Sequence, residues 1–183
     1  MPPKQTRKRK SLEYNGAGII FTNGTHLLVG YQPLKTHPCI SGIGGSKEDV
    51  DKNIIHHTAL REWLEEIFGY TYNSTMQKII TKLKGIPEKN IITSTIDSYT
   101  YISLVYTFSD LDAFLSIISP YMIISPYYKV FPKGLNDLLF SRSIKEGQEV
   151  SILGLLPVVS THDPNYPYVS SDVVDDIKKL IQI

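Results

Sequence analysis

The sequence predicts a layered α/β (α+β) fold, on three observations. Strand-type and helix-type segments alternate along the 183 residues with no internal repeat. Two apolar runs flank Asn23-Gly24, the signature of a tight hairpin. Residues 54–68 place apolar side chains at helical spacing, giving a stripe that can pack on a sheet. At 42% hydrophobic and 20% charged, the chain can bury a core, which excludes global disorder.

Residues 1–12 read as a disordered basic arm. The first ten hold Lys4, Arg7, Lys8, Arg9 and Lys10 and no acid, although the whole chain carries a formal charge of only +1. The remaining body is therefore net acidic, and the arm is suited to a polyanion. Residues 14–22 form the first expected strand, with Asn23-Gly24 as the two φ > 0 residues of the turn and 25–32 as the partner strand. Pro33 and Pro38 mark a loop into Cys39-Ile40, and Gly44-Gly45 reads as a sharp turn. After an acidic loop at 46–53, Asn53 is the expected cap of a helix that Gly69 closes. A helix over 74–84 stops at Gly85, and strands follow at 90–96 and 99–109. The insertion-rich segment at about 109–144 holds two or three short helical stretches broken by Pro120, Pro126 and Pro132. A strand at about 150–157 and a helix from Ser170 or Ser171 to Ile183 complete one domain over 13–183.

One cysteine, Cys39, excludes an intramolecular disulfide and a thiolate zinc site, and points to a reducing compartment, cytoplasmic or nuclear. The longest stretch free of Asp, Glu, Lys, Arg and His, 113–128, is too short to span a bilayer and contains two prolines, so no membrane role is expected. Lysine outnumbers arginine 15 to 4 and isoleucine is abundant, as in AT-rich genomes such as those of protists or large DNA viruses. His26, His37 and His162 are isolated, and His56 and His57 fall at the apolar edge of the 54–68 helix. The tyrosines at 99, 101, 106, 121, 127 and 128 are read as core or sheet surface, with one or two available to stack on a base.

On that helix Glu62, Glu65 and Glu66 share one face, because i, i+3 and i+4 are neighbours. Leu60, Trp63, Leu64, Ile67 and Phe68 lie opposite. A solvated acidic face is the plain reading of such a triplet. Two costs weigh against it: like-charge repulsion along the face, and two acids in the last turn, where the helix dipole disfavours them by about 0.3–1 kcal/mol each. Clustered carboxylate oxygens suit hard divalent cations, Mg²⁺ or Mn²⁺.

These residues resemble the box of the Nudix hydrolase family, G-x5-E-x7-R-E-U-x-E-E-x-G-U, where U is a bulky apolar residue. Arg61-Glu62-Trp63-Leu64-Glu65-Glu66 matches REUxEE in full, and Gly45 is followed after five residues by Asp51, an acid where the family has Glu. Glu48 stands where the loop commonly has another Glu. Nine residues, not seven, separate Asp51 from Arg61, and Ile67-Phe68-Gly69 is one residue longer than the family's helix end. Ile43 replaces the family's turn proline. These departures leave the role of Asp51 open. Downstream, Lys145-Glu146-Gly147-Gln148 resembles a loop of the bacterial MutT branch that aims a glutamate at the metal site. Glu146 and Glu149 are thus the candidates for a fourth carboxylate.

The resemblance implies an α/β/α sandwich with a mixed central sheet. It also implies hydrolysis of a nucleoside diphosphate linked to another moiety, with Mg²⁺ or Mn²⁺ held by Gly44, Glu62, Glu65, Glu66 and Glu146. Glu65, Glu66 or Glu146 would act as general base, and Arg61 would hold the glutamates in place. The substrate would be a nucleotide or capped RNA, with RNA contacted by Lys4, Arg7, Lys8, Arg9 and Lys10. The alternative is a fold of this kind kept as a binding or structural module with little or no activity.

Overall fold

The strand Gly16–Thr22 (β1) sorts its residues between two faces with period 2. Ala17, Ile19 and Phe21 enter one core with Ile102, Leu104 and Tyr106, whereas Ile20 enters a second core with Val105. A computed structural model describes residues 13–121, 125–158 and 168–181. In it β1 lies at the centre of a seven-stranded mixed sheet. It runs antiparallel to β2 (His26–Gln32) at the hairpin end and to β4 (Ile43–Ser46) at the other. Along its other side runs β6 (Tyr99–Thr107), parallel, from Gly16 opposite Tyr101 to Thr22 opposite Thr107. β5 (Asn90–Ile96) extends the sheet beyond β6, while β3 (Cys39–Ser41) and β7 (Ile152–Pro157) pair with β2.

Helices cover both faces. The first core is roofed by α1 (Ile55–Phe68), α2 (Ser74–Leu83), α3 (Phe108–Ile118) and the short α4 (Leu135–Phe140). Its centre is aromatic: Phe114 meets Phe21 and Trp63 edge-on, with ring centroids 5.3 and 5.5 Å apart. The second face is covered by α5 (Ser171–Ile181), which buries Val173 and Ile177. This is the expected α/β/α sandwich with a mixed central sheet. Among the described residues no helix is long and apolar enough to cross a membrane. The arm at 1–12, including all five of its cations, lies outside the described residues, as does His162.

Four local expectations are corrected. The hairpin turn sits one residue later than expected. Asn23 precedes the loop and its side-chain oxygen accepts from the backbone N–H of Thr25 and His26, so Gly24, at φ 86°, is the first central residue. Gly44-Gly45 is not a turn but part of β4, opposite Gly18 and Ala17. A Cβ on Gly44 would stand 2.3 Å from the Gly18 Cα, so close approach of two backbones is what requires glycine there. Asn53 does not cap α1. A 3₁₀ turn at Asp49–Asp51 precedes it, Asn53 is itself left-handed at φ 57°, and Ile54 becomes the cap without a side-chain hydrogen bond. Finally, β6 stops at Thr107 instead of 109. Thr107 forms a reciprocal capping box with Asp110, which starts α3 at Phe108.

Candidate active site

Arg61 organises the site. It sits on the sheet-facing side of α1 and is only 1% exposed, with five N–H donors to satisfy. Two of them clamp Asp51: Nε donates to Oδ1 and Nη2 to Oδ2, both at 3.0 Å. Nη2 also donates to the Ser46 carbonyl at 2.9 Å. Nη1 lies 2.9 Å from Glu65 Oε2 and 2.9 Å from Glu62 Oε1. Glu48 approaches the same nitrogen less closely, at 3.7 Å.

The two extra residues between Asp51 and Arg61 are thus absorbed without losing the contact. The 3₁₀ turn at Asp49–Asp51 and the left-handed Lys52 and Asn53 fold them away. Asp51 is fully buried. Burial pushes its carboxyl up, but Arg61's hydrogen bonds and charge outweigh that and hold it below the usual carboxylate range. Asp51 is thereby the orienting partner of Arg61, a role its spacing in the sequence left open.

The three glutamates of α1 answer differently to the same neighbourhood. Burial pushes Glu62 up to about 7, against Arg61's pull and with Glu65's charge adding to the rise. Burial also raises Glu65, opposed by Arg61. Glu66 is the deepest, 5% exposed, and its carboxyl lies well above the ordinary range, first through burial and then through the charge of Glu149. Two donors restrain it: the Gly44 N–H at 2.8 Å on Oε2 and Gln32 Nε2 at 3.1 Å on Oε1. Gly45 touches Glu62, since a Cβ there would fall 2.4 Å from Oε2. The glycine strand β4 therefore lies directly against the carboxylate face.

Of the two acids read from the 145–149 loop, Glu149 is the one whose charge reaches Glu62 and Glu66. Both are exposed, Glu146 on the turn at 146–147. Glu146 stays an expectation beside Glu149. The loop folds on itself through the left-handed Gly147, at φ 78°, and the buried Gln148, whose amide oxygen accepts from the Lys145 N–H.

Arg142 has no counterpart in the sequence reading. Its guanidinium donates to the carbonyls of Glu66 and Val150, each at 2.7 Å, and to that of Ile67. It lies over the Tyr127 ring, 4.6 Å from the centroid. The last carbonyls of α1 need such partners, and Gly69, left-handed at φ 67°, supplies one through its N–H to Glu65. A cation at this helix end also offsets the dipole that disfavours Glu65 and Glu66.

His56 pairs with Glu88 at 3.1 Å, not with the glutamates of its own helix. Tyr106 and Tyr128 are core residues. Tyr99 and Tyr101 instead line a cleft of about 340 Å³ that begins at Gly44, Gly45 and Glu149 and runs to α5, with Lys35 on its rim.

Among the described residues no three acidic, His or Cys side chains already converge at the spacing of a metal centre. In kind the donors fit a hard divalent cation: carboxylate oxygens of Glu62, Glu65, Glu66 and Glu149 beside the backbone of Gly44. They carry more negative charge than Arg61 offsets, as the upward shifts of Glu62, Glu65 and Glu66 register.

No protein-family profile matches the chain, and no curated protein matches it in sequence. Among solved structures the chain is similar to a NUDIX hydrolase from Nitrosomonas europaea, at 11% identity and a TM-score of 0.44 over 93% of this chain and 89% of that one. It is similar to a NUDIX-family hydrolase from Clostridium perfringens at 14% identity and a TM-score of 0.41, over 93% and 98% of the two chains. A MutT structure from work on Aliivibrio salmonicida and Vibrio cholerae aligns at 15% identity and a TM-score of 0.45, over 92% and 98%. The first two bear the name of the family whose box the sequence resembles.

Proposed function

We propose that the protein is a divalent-metal-dependent pyrophosphohydrolase of the Nudix type, acting on a nucleoside diphosphate linked to another moiety. The observation that carries this reading is the state of Glu66. It is a buried carboxylate crowded by Glu62 and Glu149, and its hydrogen-bond partners Gly44 and Gln32 line a cleft large enough for a nucleotide. A structural carboxylate would be placed as Asp51 is, opposite a guanidinium.

Glu62, Glu65, Glu66, the Gly44 carbonyl and an acid of the 145–149 loop, Glu149 or Glu146, are the groups that would hold Mg²⁺ or Mn²⁺. The metal would supply charge neutralisation of the pyrophosphate and a water acidified for in-line attack. The chain's own residues do the rest. Arg61 fixes the rotamers of Glu62 and Glu65 through one nitrogen, leaving each carboxylate a second oxygen. The clamp on Asp51 keeps Arg61 from swinging out with them. Lys35 brings a positive charge to the cleft rim, where substrate phosphates would enter. Glu65, the most exposed of the three helix glutamates, or the deeper Glu66 would take the proton from the attacking water. The substrate is a nucleotide or capped RNA, and Lys4, Arg7, Lys8, Arg9 and Lys10 would add salt-sensitive affinity for the RNA.

The test is a substrate panel of nucleoside triphosphates, dinucleoside polyphosphates, nucleotide sugars and capped RNA, each with Mg²⁺ or Mn²⁺. Wild type is compared with Glu65→Gln, Glu66→Gln and a chain lacking residues 2–10. Turnover of at least one substrate, reduced about 100-fold or more by a glutamate substitution, is the expected result. Absence of turnover across the panel would leave the binding module as the better reading. Unchanged capped-RNA hydrolysis without the arm would remove the RNA role.

A further inference from the structure

One end of the cleft belongs to the carboxylate site, and the reaction above makes no use of the other. There α5 contributes Asp172 and Asp176, one helical turn apart, and β6 contributes Tyr101 and Ser103 from one face of the strand. The floor between them is glycine. A Cβ on Gly16 would fall 2.7 Å from the Tyr99 hydroxyl, and one on Gly18 would fall 2.4 Å from that of Tyr101. Both phenols thus rest directly on the β1 backbone, in space that a side chain at Gly16 or Gly18 would take from them.

Two deep side chains of this cleft are acceptors with positions left to fill. Asp176 is 9% exposed, and its Oδ2 accepts from Ser103 Oγ at 2.7 Å. One hydroxyl proton fills one of roughly four acceptor positions on a carboxylate, so the rest stay available. The cation one turn on, Lys179, is committed to the Thr93 carbonyl and Ser94 hydroxyl at 2.9 and 2.6 Å. A second acceptor lines the same cleft. Gln32 is 2% exposed, gives its Nε2 to Glu66, and leaves its buried Oε1 without a partner among the described residues. Buried acceptors of this kind cost stability until a ligand donates to them.

We propose that this wall is a base-recognition subsite for guanine, in which the Asp176 carboxylate, positioned by Ser103, accepts from guanine's N–H edge while Tyr99 and Tyr101 pack against the purine. Guanine is the common nucleobase with two adjacent donors, the ring N1–H and the 2-amino group. Adenine and cytosine set an acceptor beside their donor, and uracil flanks its single N–H with carbonyls. An ionised carboxylate, which only accepts, therefore separates guanine from the other three. Free guanine nucleotides and the guanine of an RNA cap present the same edge. The inference takes from the proposed function only that a nucleotide is the ligand, and base binding can be read without hydrolysis.

The experiment is calorimetric titration of the full chain, without divalent cation, with GMP, IMP, AMP and 7-methyl-GMP. GMP should bind about tenfold more tightly than AMP, with IMP between them because it lacks the 2-amino group. Asp176→Asn should abolish most of the GMP-over-AMP preference, and Ser103→Ala should weaken GMP more than AMP, a selectivity change that a merely structural serine would not give. Preference for 7-methyl-GMP over GMP supports the subsite with capped RNA as the source of the base. The reverse order supports it with free nucleotides as the source. Equal binding of GMP and AMP by the wild type overturns the proposal without needing any variant to fold, and so does a preference that survives Asp176→Asn. A retained GMP preference with no turnover of any substrate would instead refute hydrolysis and leave the subsite standing.

Discussion

Asp51 and Asp176 are both buried, at 0% and 9% exposure, on opposite sides of the same sheet, and burial leaves them in opposite states. Asp51 faces the Arg61 guanidinium and is held below the usual carboxylate range. Asp176 faces a serine hydroxyl, and burial pushes it up to about 6. The partner, not the depth, decides whether a buried acid is settled or waiting for something. The first is finished as structure and fixes the glutamates around it. The second keeps unfilled acceptor positions in a cleft, which is what a recognition group requires.

The largest expected effect comes from breaking the settled pair. Arg61→Ala leaves Asp51 buried and uncompensated and should cost about 3–5 kcal/mol in a denaturant titration. Arg61→Lys should recover only part of that, because an ammonium cannot clamp both Asp51 oxygens while also reaching Ser46, Glu62 and Glu65. Next is Arg142→Ala, which frees carbonyls at the C-terminal end of α1 and should cost about 2–3 kcal/mol by the same measurement.

Asp176→Asn comes third, and its sign is opposite. The folded-state pKa is raised, so the folded protein binds the proton more tightly than the unfolded chain, and the charge cost is present at neutral pH. The Asn variant should therefore be more stable than wild type at pH 7.5, by on the order of 2 kcal/mol. That advantage should shrink as pH falls through about 6 and vanish near pH 4, in thermal scans taken across the range. Asp51 runs the other way: its stabilisation is lost as acid titrates it. The smallest contrast separates two asparagines. Asn73→Ala should cost about 1 kcal/mol, because Asn73 caps α2 through Thr75 and Met76. Asn53→Ala should change stability by only a few tenths of a kcal/mol, because Asn53 does not cap α1.

The legible parts of this molecule are those fixed by near neighbours in sequence. The acidic arc of α1, its apolar stripe and the closing Gly69 follow from helical period and a left-handed residue, and all appear in the structure. The hairpin was readable to within one residue, because Asn and Gly both favour turns and only the register decides which leads. Asn53 misled because an asparagine before a helix is a good cap in isolation, whereas here it is consumed by folding away two extra residues. What stayed hidden depends on distant partners. Arg142 meets carbonyls about 75 residues away, and Asp176 meets a serine 73 residues away. Neither leaves a local pattern. One compositional signal did exist. In a chain with 15 lysines and 4 arginines, Arg61 and Arg142 are the two arginines outside the basic arm, and each makes several contacts that a lysine could not.

The most direct test of the carboxylate site is Glu66→Gln, followed by Mn²⁺ binding in electron paramagnetic resonance and by thermal unfolding of the metal-free protein. Glutamine keeps an acceptor for the Gly44 N–H and removes the charge that burial and Glu149 oppose. The expected result is a metal-free fold as stable as wild type or more so, with Mn²⁺ affinity reduced about tenfold or more. A variant that loses stability while binding Mn²⁺ as the wild type does would show Glu66 to be a structural residue and would contradict the metal-site reading.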